Sequence, residues 1–202
     1  MRIYEKVIGT GHIDTATAYN NFAAACHQLN DSRALDYFRK ALAIREKILG
    51  PEHPDTAASY NNIGASFDKS GNYSEAKKWF QKSLEIREKI LGLEHPDTAM
   101  SYYSIAGIYY HQGNYSEALE MCLRTFVICE NTLGESHPIT KQVNEHLKTI
   151  FIAKGGREKF FSTWTAEQTG KQKPEHITVK SSFFTRICKY IGVGTGSKYE
   201  NI

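Results

Sequence analysis

The stretch GPEHPDTA at residues 50–57 recurs as GLEHPDTA at residues 92–99, 42 positions further along the chain. An ungapped comparison of residues 50–91 with residues 92–133 finds 19 identical positions out of 42. Self-similarity at a fixed period of this length is the signature of a repeat architecture. The sequence therefore predicts a chain built from consecutive copies of one structural unit.

Weaker copies of the same stretch extend the repetition in both directions. They are GTGHIDTA at residues 9–16, displaced by 41 positions from residues 50–57, and GESHPIT at residues 134–140. Residues 2–9 also match residues 43–50, which close the preceding unit. We expect residues 1–9 to be the remnant of a helix from an earlier repeat.

Each unit contains two runs of apolar and small residues at helical spacing, separated by a turn such as Ser70-Gly71-Asn72. Glycine and asparagine tolerate a positive φ, which suits a helix end. Ser74 is expected to cap the second helix, followed by the early acid Glu75. The pattern predicts helices at residues 14–29, 33–49, 54–70, 74–91, 96–112, 116–133 and 138–153.

The second unit resembles the tetratricopeptide repeat (TPR), whose residues run aromatic, apolar, small and aromatic, then glycine–aromatic, alanine and aromatic. It carries Tyr60, Ile63, Gly64, Phe67, Gly71, Tyr73, Ala76 and Phe80. The third unit carries Tyr102, Ile105, Ala106, Tyr109, Gly113, Tyr115, Ala118 and Cys122, and the first keeps Tyr19, Phe22, Ala23, Cys26, Ala34 and Phe38. The 42-residue variant looks like the repeats of kinesin light chains and nephrocystin-like proteins.

This resemblance covers about residues 1–153 and implies an all-α fold, a TPR α-solenoid of helix-turn-helix repeats. Residues 10–153 would form the array, with about three full repeats and a degenerate capping unit. Asn144 and Lys148 stand in that last unit where an aromatic and a small residue are expected.

The resemblance also implies a concave groove lined by the first helix of each repeat. The positions that match are Thr17, Asn20, Asn21, Ala24, His27 and Gln28; Ala58, Asn61, Asn62, Ala65, Asp68 and Lys69; and Met100, Tyr103, Ser104, Gly107, Tyr110 and His111. An asparagine amide both donates and accepts hydrogen bonds, so it can pair with the backbone of an extended peptide. Alternatively, the asparagines merely solvate an exposed helix face.

Other residues refine the expected ligand class. Tyr103 and Tyr110 offer large amphipathic contact surfaces. Lys69 is the single lysine or arginine among the groove positions of these three units, so a clamp for a C-terminal carboxylate is not expected.

No metal or cofactor site is predicted. His12, His53, His95 and His137 occupy the same position of successive units, too far apart to share a zinc ion, and are expected to cap or pack the turn between repeats. The four cysteines lack disulfide or zinc spacing, which favours a reducing compartment. No catalytic constellation stands out.

The charge is split along the chain. Residues 1–153 carry 16 Lys+Arg and 18 Asp+Glu, whereas residues 154–202 carry 9 and 4. A nucleic-acid-binding domain usually has a denser basic face, so that class is not expected. The sequence also shows neither an 18-residue apolar run nor a secretory signal pattern, which predicts no membrane insertion and a cytoplasmic location.

Residues 154–202 are expected to form a basic, partly disordered linker and tail with a short amphipathic helix near residues 181–192. That helix could fold back onto the array, dock on a partner or attach weakly to an anionic membrane.

We therefore predict a non-enzymatic protein–protein interaction module, an adapter or scaffold that captures a peptide or protein segment in the groove. Two alternatives stay open. The chain could be a structural spacer from a longer repeat array, or a regulatory TPR appendage of an enzyme whose catalytic domain lies elsewhere. The sequence indicates neither the identity of the partner nor the oligomeric state.

Overall fold

The computed structural model describes residues 9–156 and residue 161. Within these residues the chain forms seven helices and no strand. They are α1 (Ile13–Gln28), α2 (Ala34–Leu49), α3 (Pro54–Lys69), α4 (Tyr73–Leu91), α5 (Pro96–His111), α6 (Tyr115–Leu133) and α7 (Pro138–Ala153). Each predicted helix end agrees with the observed one to within one residue. The predicted remnant at residues 1–8 and the predicted tail helix near residues 181–192 lie outside the described residues.

The helices form the predicted pairs. Helices α1, α3, α5 and α7 are the first helices of successive repeats, and α2, α4 and α6 are the second helices. In the first three repeats each first helix packs against the second helix of its own repeat, and α1 with α3 and α3 with α5 are also neighbours. The chain divides into two compact units, residues 1–147 and 148–202, and in the second unit the rings of Phe151 and Phe161 lie 5.6 Å apart.

A histidine begins every first helix, as the sequence predicts. The Nδ1 atom of the histidine accepts a hydrogen bond from the backbone N–H two residues later, at 3.1 to 3.2 Å. This bond satisfies one of the N–H groups that a helix start leaves unpaired. The four capping residues are His12, His53, His95 and His137.

The cap of α4 differs from the prediction. Asn72, not Ser74, is the capping residue, and its side chain accepts from the N–H of Glu75 at 3.3 Å. The left-handed Gly71, with φ of 78°, reverses the chain early enough for the helix to begin at Tyr73. Ser74 therefore lies inside the first turn, past the position where a cap can act.

The core of each repeat is a small residue on the first helix facing a larger one on the second. Phe38 and Phe80 are almost fully buried, and Cys122 takes the same position in the third repeat. In the second repeat the small residue is Gly64, and a methyl group added there would lie 2.7 Å from the ring of Phe80. The ring and the glycine are therefore fitted to each other.

The second helix of one repeat is tied to the first helix of the next by a buried arginine. Arg45, on α2, is 8% exposed, and its Nη1 donates to the backbone oxygen of Asp55 at 3.1 Å and to Ser59 Oγ at 2.8 Å. One residue further on, Glu46 accepts a hydrogen bond from the hydroxyl of Tyr60. A guanidinium loses hydration on burial, so it is stable here only because α3 supplies both acceptors.

The same contacts join α4 to α5. Nη1 of Arg87 donates to the backbone oxygen of Asp97 at 2.8 Å and to Ser101 Oγ at 2.9 Å, and Glu88 accepts from the hydroxyl of Tyr102. We call each such region, the end of a second helix with the start of the next first helix, a joint. The 42-residue period lengthens the second helix enough to bring this arginine and glutamate to the joint.

A third contact closes each of these joints. Nζ of Lys82 lies 4.0 Å from the ring centroid of Tyr60 and 4.0 Å from a carboxylate oxygen of Glu46. The guanidinium of Arg124 lies 4.3 Å from the ring of Tyr102 in the same way. Each joint tyrosine thus contacts two other helices, because its hydroxyl and its ring face have different partners.

We expect His95→Ala to lower the free energy of unfolding by about 1 kcal/mol, because the first turn of α5 loses its cap. His95→Asn restores a side-chain acceptor and should stay within about 0.5 kcal/mol of wild type. Urea denaturation followed by circular dichroism measures both values. Equal losses in the two variants would contradict a capping role.

We expect Gly64→Ala to destabilise the protein by about 1 kcal/mol, because crowding against Phe80 outweighs the gain in helix propensity. Gly107→Ala is the matched control, since an added Cβ there meets no atom within 4 Å. That variant should gain about 1 kcal/mol. Thermal melts of the two proteins should therefore shift in opposite directions.

We expect Arg87→Met to cost about 2 kcal/mol in the free energy of unfolding, because Ser101 Oγ and the carbonyl of Asp97 lose their donor. Lys89→Met, two residues away, removes only an exposed ion pair with Glu52, whose two side chains are 61% and 62% exposed. Its effect should stay within about 0.5 kcal/mol. Similar losses in the two variants would show that the joint arginine adds no stability of its own.

Candidate binding surface

The predicted groove residues lie on α1, α3 and α5, with one set on each first helix. Eleven of these positions carry polar or aromatic side chains that are candidates for contact with a ligand. Seven of the eleven are half-buried: Asn20, His27, Asn61, Asn62, Tyr103, Ser104 and Tyr110. The other four are exposed: Thr17, Asn21, Lys69 and His111. We refer to the surface formed by these eleven residues as the groove face.

Contacts between successive repeats run across the groove face. Nδ2 of Asn62 donates to Oδ1 of Asn20 at 2.8 Å, and Oγ of Ser104 donates to Oδ1 of Asn61 at 3.4 Å. Asn20, Asn61 and Asn62 therefore link neighbouring first helices, whereas Asn21 is exposed. An amide has two donor hydrogens and an oxygen with two lone pairs, so one such bond leaves capacity for a ligand.

The third contact of this series is aromatic. The rings of Tyr103 and His146 meet edge to face with centroids 5.1 Å apart. His146, on α7, holds the repeat position of Asn62 and Ser104. The groove expected from the sequence omits His146 because the unit that contains it is predicted to be a cap. Its spacing of 42 residues from Ser104 was the signal that could have identified it.

Lys69 is engaged within the protein. Its Nζ donates to the backbone oxygen of His27 in the last turn of α1. A cation at this end of a helix is favoured by the unpaired carbonyl groups and by the helix dipole. Its ammonium group is thus directed to α1 and not into the open groove face.

Asp68 stands next to Lys69, between the imidazoles of His27 and His111. Burial raises the pKa of the Asp68 carboxyl, and the two imidazoles, His111 first, oppose that rise. Burial lowers the pKa of His27, Lys69 lowers it further, and Asp68 acts in the opposite direction. Among the described residues, Oδ1 of Asp68 is enclosed without a hydrogen-bond partner.

Aromatic rings are concentrated in the part of the groove face that α5 contributes. The ring of Tyr110 lies 5.8 Å from that of His111, 5.7 Å from that of Tyr115 and 5.8 Å from that of His146. Burial lowers the pKa of His146, and His111 lowers it further. The pKa of the Tyr103 hydroxyl is raised by burial above all. The groove face therefore changes along its length from amides to aromatic rings.

Within residues 9–156 and residue 161, no group of three or more His, Cys, Asp and Glu side chains could hold a metal ion. Cys26, Cys122 and Cys129 are buried free thiols. Among the described helices, none is both long enough and apolar enough to cross a membrane.

Solved structures of other proteins share this fold. A structure from Podosopora anserina, of nearly identical TPR-like repeats attributed to a kinesin light chain, superposes with a TM-score of 0.69 at 20% identity, covering 90% of this chain and 95% of that one. BtubC (BKLC) from P. vanneervenii superposes with a TM-score of 0.66 at 19% identity, covering 83% and 70%. At such identities the likeness is one of fold.

No curated protein sequence matches the chain. A family model described as tetratricopeptide repeat matches residues 1–46, 32–89, 69–121 and 97–159, which together span residues 1–159. Repeats of this family generally bind protein partners and act as non-catalytic scaffolds. The chain belongs to the tetratricopeptide repeat family.

Proposed function

We propose that this chain is a non-enzymatic adapter whose groove face captures an extended peptide segment of a protein partner. The observation that carries the proposal is the unbroken row of half-buried amides, hydroxyls and rings across three consecutive first helices, from Asn20 to Tyr110. Half-buried polar groups of this kind have lost part of their hydration. A peptide backbone, which both donates and accepts hydrogen bonds, would replace that hydration on binding.

Along this row, different residues would recognise different parts of the bound peptide. The amide part, around Asn20 and Asn62, suits backbone N–H and C=O groups, because an amide matches both. The half-buried glycine at Gly107 leaves open space above α5, which lets a peptide backbone approach. Tyr103 and Tyr110 then offer amphipathic rings for a side chain of the partner.

The engagement of Lys69 supports an internal peptide segment as the ligand. Recognition of a C-terminal carboxylate needs a cation that is free to reach it. On the groove face that cation would be Lys69, whose ammonium group already pairs with the backbone oxygen of His27. We place the activity in the cytoplasm, where the thiols of Cys26, Cys122 and Cys129 would stay reduced.

One observation favours a second candidate, the structural spacer. The bond between Asn20 and Asn62 joins two repeats without any ligand, so the amides also stabilise the stacking. In that case the groove face would carry no affinity for peptides, and the asparagines would matter for stability alone.

We expect the quadruple variant Asn20→Ala, Asn21→Ala, Asn61→Ala and Asn62→Ala to weaken peptide binding about 100-fold, because several amide–backbone bonds are lost at about 1 kcal/mol each. A peptide-display library is panned on the immobilised wild-type chain. The best peptide is then synthesised with a fluorophore, and its Kd is measured by anisotropy against both proteins.

The matched control is Asn131→Ala, an exposed asparagine near the end of the second helix α6. It should bind as wild type does, and circular dichroism should show equal helicity in all three proteins. An unchanged Kd in the quadruple variant would exclude this surface as the site. Failure of the wild type to select any peptide would favour the spacer.

A further inference from the structure

The joint between α6 and α7 lacks the polar contacts of the two preceding joints. The positions held elsewhere by the buried arginine, the serine and the tyrosine are taken here by Cys129, Val143 and Asn144. The carboxylate position is kept as Glu130. Neither a thiol nor a valine can reproduce the arginine–hydroxyl bond, so α7 is held here without a charged donor.

Apolar packing replaces part of those contacts, and a side-chain hydrogen bond between Gln142 of α7 and Tyr103 of α5 adds a polar one. Cys129 is 1% exposed and packs in a cluster with Tyr102 and Ile128. The connecting turn has also changed. In the first two joints, Thr56 and Thr98 donate to the glycine that ends the second helix, at 2.8 and 2.9 Å. Here Thr140 donates instead to the backbone oxygen of Cys129, at the longer distance of 3.4 Å.

Two polar atoms of α7 are enclosed without a partner. Oδ1 of Asn144 and Nδ1 of His146 make no hydrogen bond among the described residues. Burial also raises the pKa of Glu130, and Glu135 raises it further. Enclosed polar atoms without partners favour any state in which water reaches them. The docked position of α7 therefore costs Asn144 and His146 the hydration of these two atoms. Arg45 also has an atom enclosed without a partner, its Nε, but its Nη1 donates two hydrogen bonds in return.

We propose that residues 138–147, the first part of α7, form a hinged element that detaches from α6 before the repeats unfold and so controls the aromatic end of the groove face. His146 lies against the rings of both Tyr103 and Tyr110 while α7 is docked. Detachment removes the imidazole from both rings. The control of binding rests on the proposed function, whereas the hinge itself does not.

Binding and docking are then linked. A peptide that contacts His146 together with Tyr103 binds the docked form alone, so it shifts the equilibrium towards docking. The apparent affinity for that peptide equals its affinity for the docked form multiplied by the docked fraction. Any detached population therefore lowers the apparent affinity. A partner that contacts only the amide part of the groove face is unaffected by α7.

The hinge has a chemical readout. Cys122 is 0% exposed, and its Sγ lies 3.7 Å from the backbone oxygen of Val143, so α7 covers it. Burial, with a smaller effect of Cys129, raises the pKa of the Cys122 thiol to about 12, which keeps it in the unreactive form while α7 is docked. Cys26 is buried by residues of the first two repeats, so its burial does not depend on α7.

The test is hydrogen exchange of the free, full-length chain, followed by mass spectrometry. We expect the amides of residues 138–147 to exchange at least about tenfold faster than those of α5. Asn144→Leu keeps the side-chain size and removes the enclosed oxygen, so it should slow exchange in α7 about tenfold. Asn131→Leu, at an exposed position of α6, is the control and should leave α7 unchanged.

Equal exchange of α5 and α7 in the wild type would overturn the hinge, and so would unchanged α7 exchange in Asn144→Leu. Alkylation by N-ethylmaleimide gives a second measurement. Cys122 should react faster than Cys26 in the wild type, and Asn144→Leu should remove that difference. Equal rates for Cys122 and Cys26 in the wild type would contradict the proposal.

A final comparison separates this inference from peptide capture. The selected peptide, added at saturation, should slow exchange in α7 if the hinge controls the groove face. Tight binding of that peptide with unchanged α7 exchange would overturn the control and leave peptide capture standing. Conversely, fast α7 exchange in a chain that selects no peptide would support the hinge and refute the proposed function.

Discussion

The buried guanidinium at the end of α2 and again at the end of α4 is the contact on which the geometry of the first three repeats depends. Burial strips water from Arg45 and Arg87, and only a carbonyl and a hydroxyl of the next first helix replace it. Those acceptors occupy one place along the next helix. The next repeat therefore has one register in which Nη1 of the arginine meets both acceptors, and a slip would leave the charge buried and unpaired.

That register also builds the groove face. It sets Asn20 opposite Asn62 and Tyr103 opposite His146, so the surface consists of contacts between repeats and not of independent helix faces. Where the arginine is replaced by Cys129, the register rests on apolar packing and on uncharged hydrogen bonds such as that of Thr140 to the backbone oxygen of Cys129. The change from amides to rings along the groove face thus coincides with a change in how the repeats are joined.

The helices themselves were predictable because their signals are local. A histidine with a following proline begins α3 and α5, a glycine ends each second helix, and the apolar spacing fills the interval. The one cap that was wrong depended on where the turn at Gly71 ends. A shift of one residue in the helix start moves the capping role from Ser74 to Asn72.

By itself, the sequence determined the repeat, its period, and the number and bounds of the described helices. Only the tertiary structure decided which partner each polar side chain takes: Asn62 for Asn20, the carbonyl of His27 for Lys69, and His146 for Tyr103. These partners lie 42 or 43 residues apart on different helices. Spacing within one helix carries no information about them, because stacking brings them together.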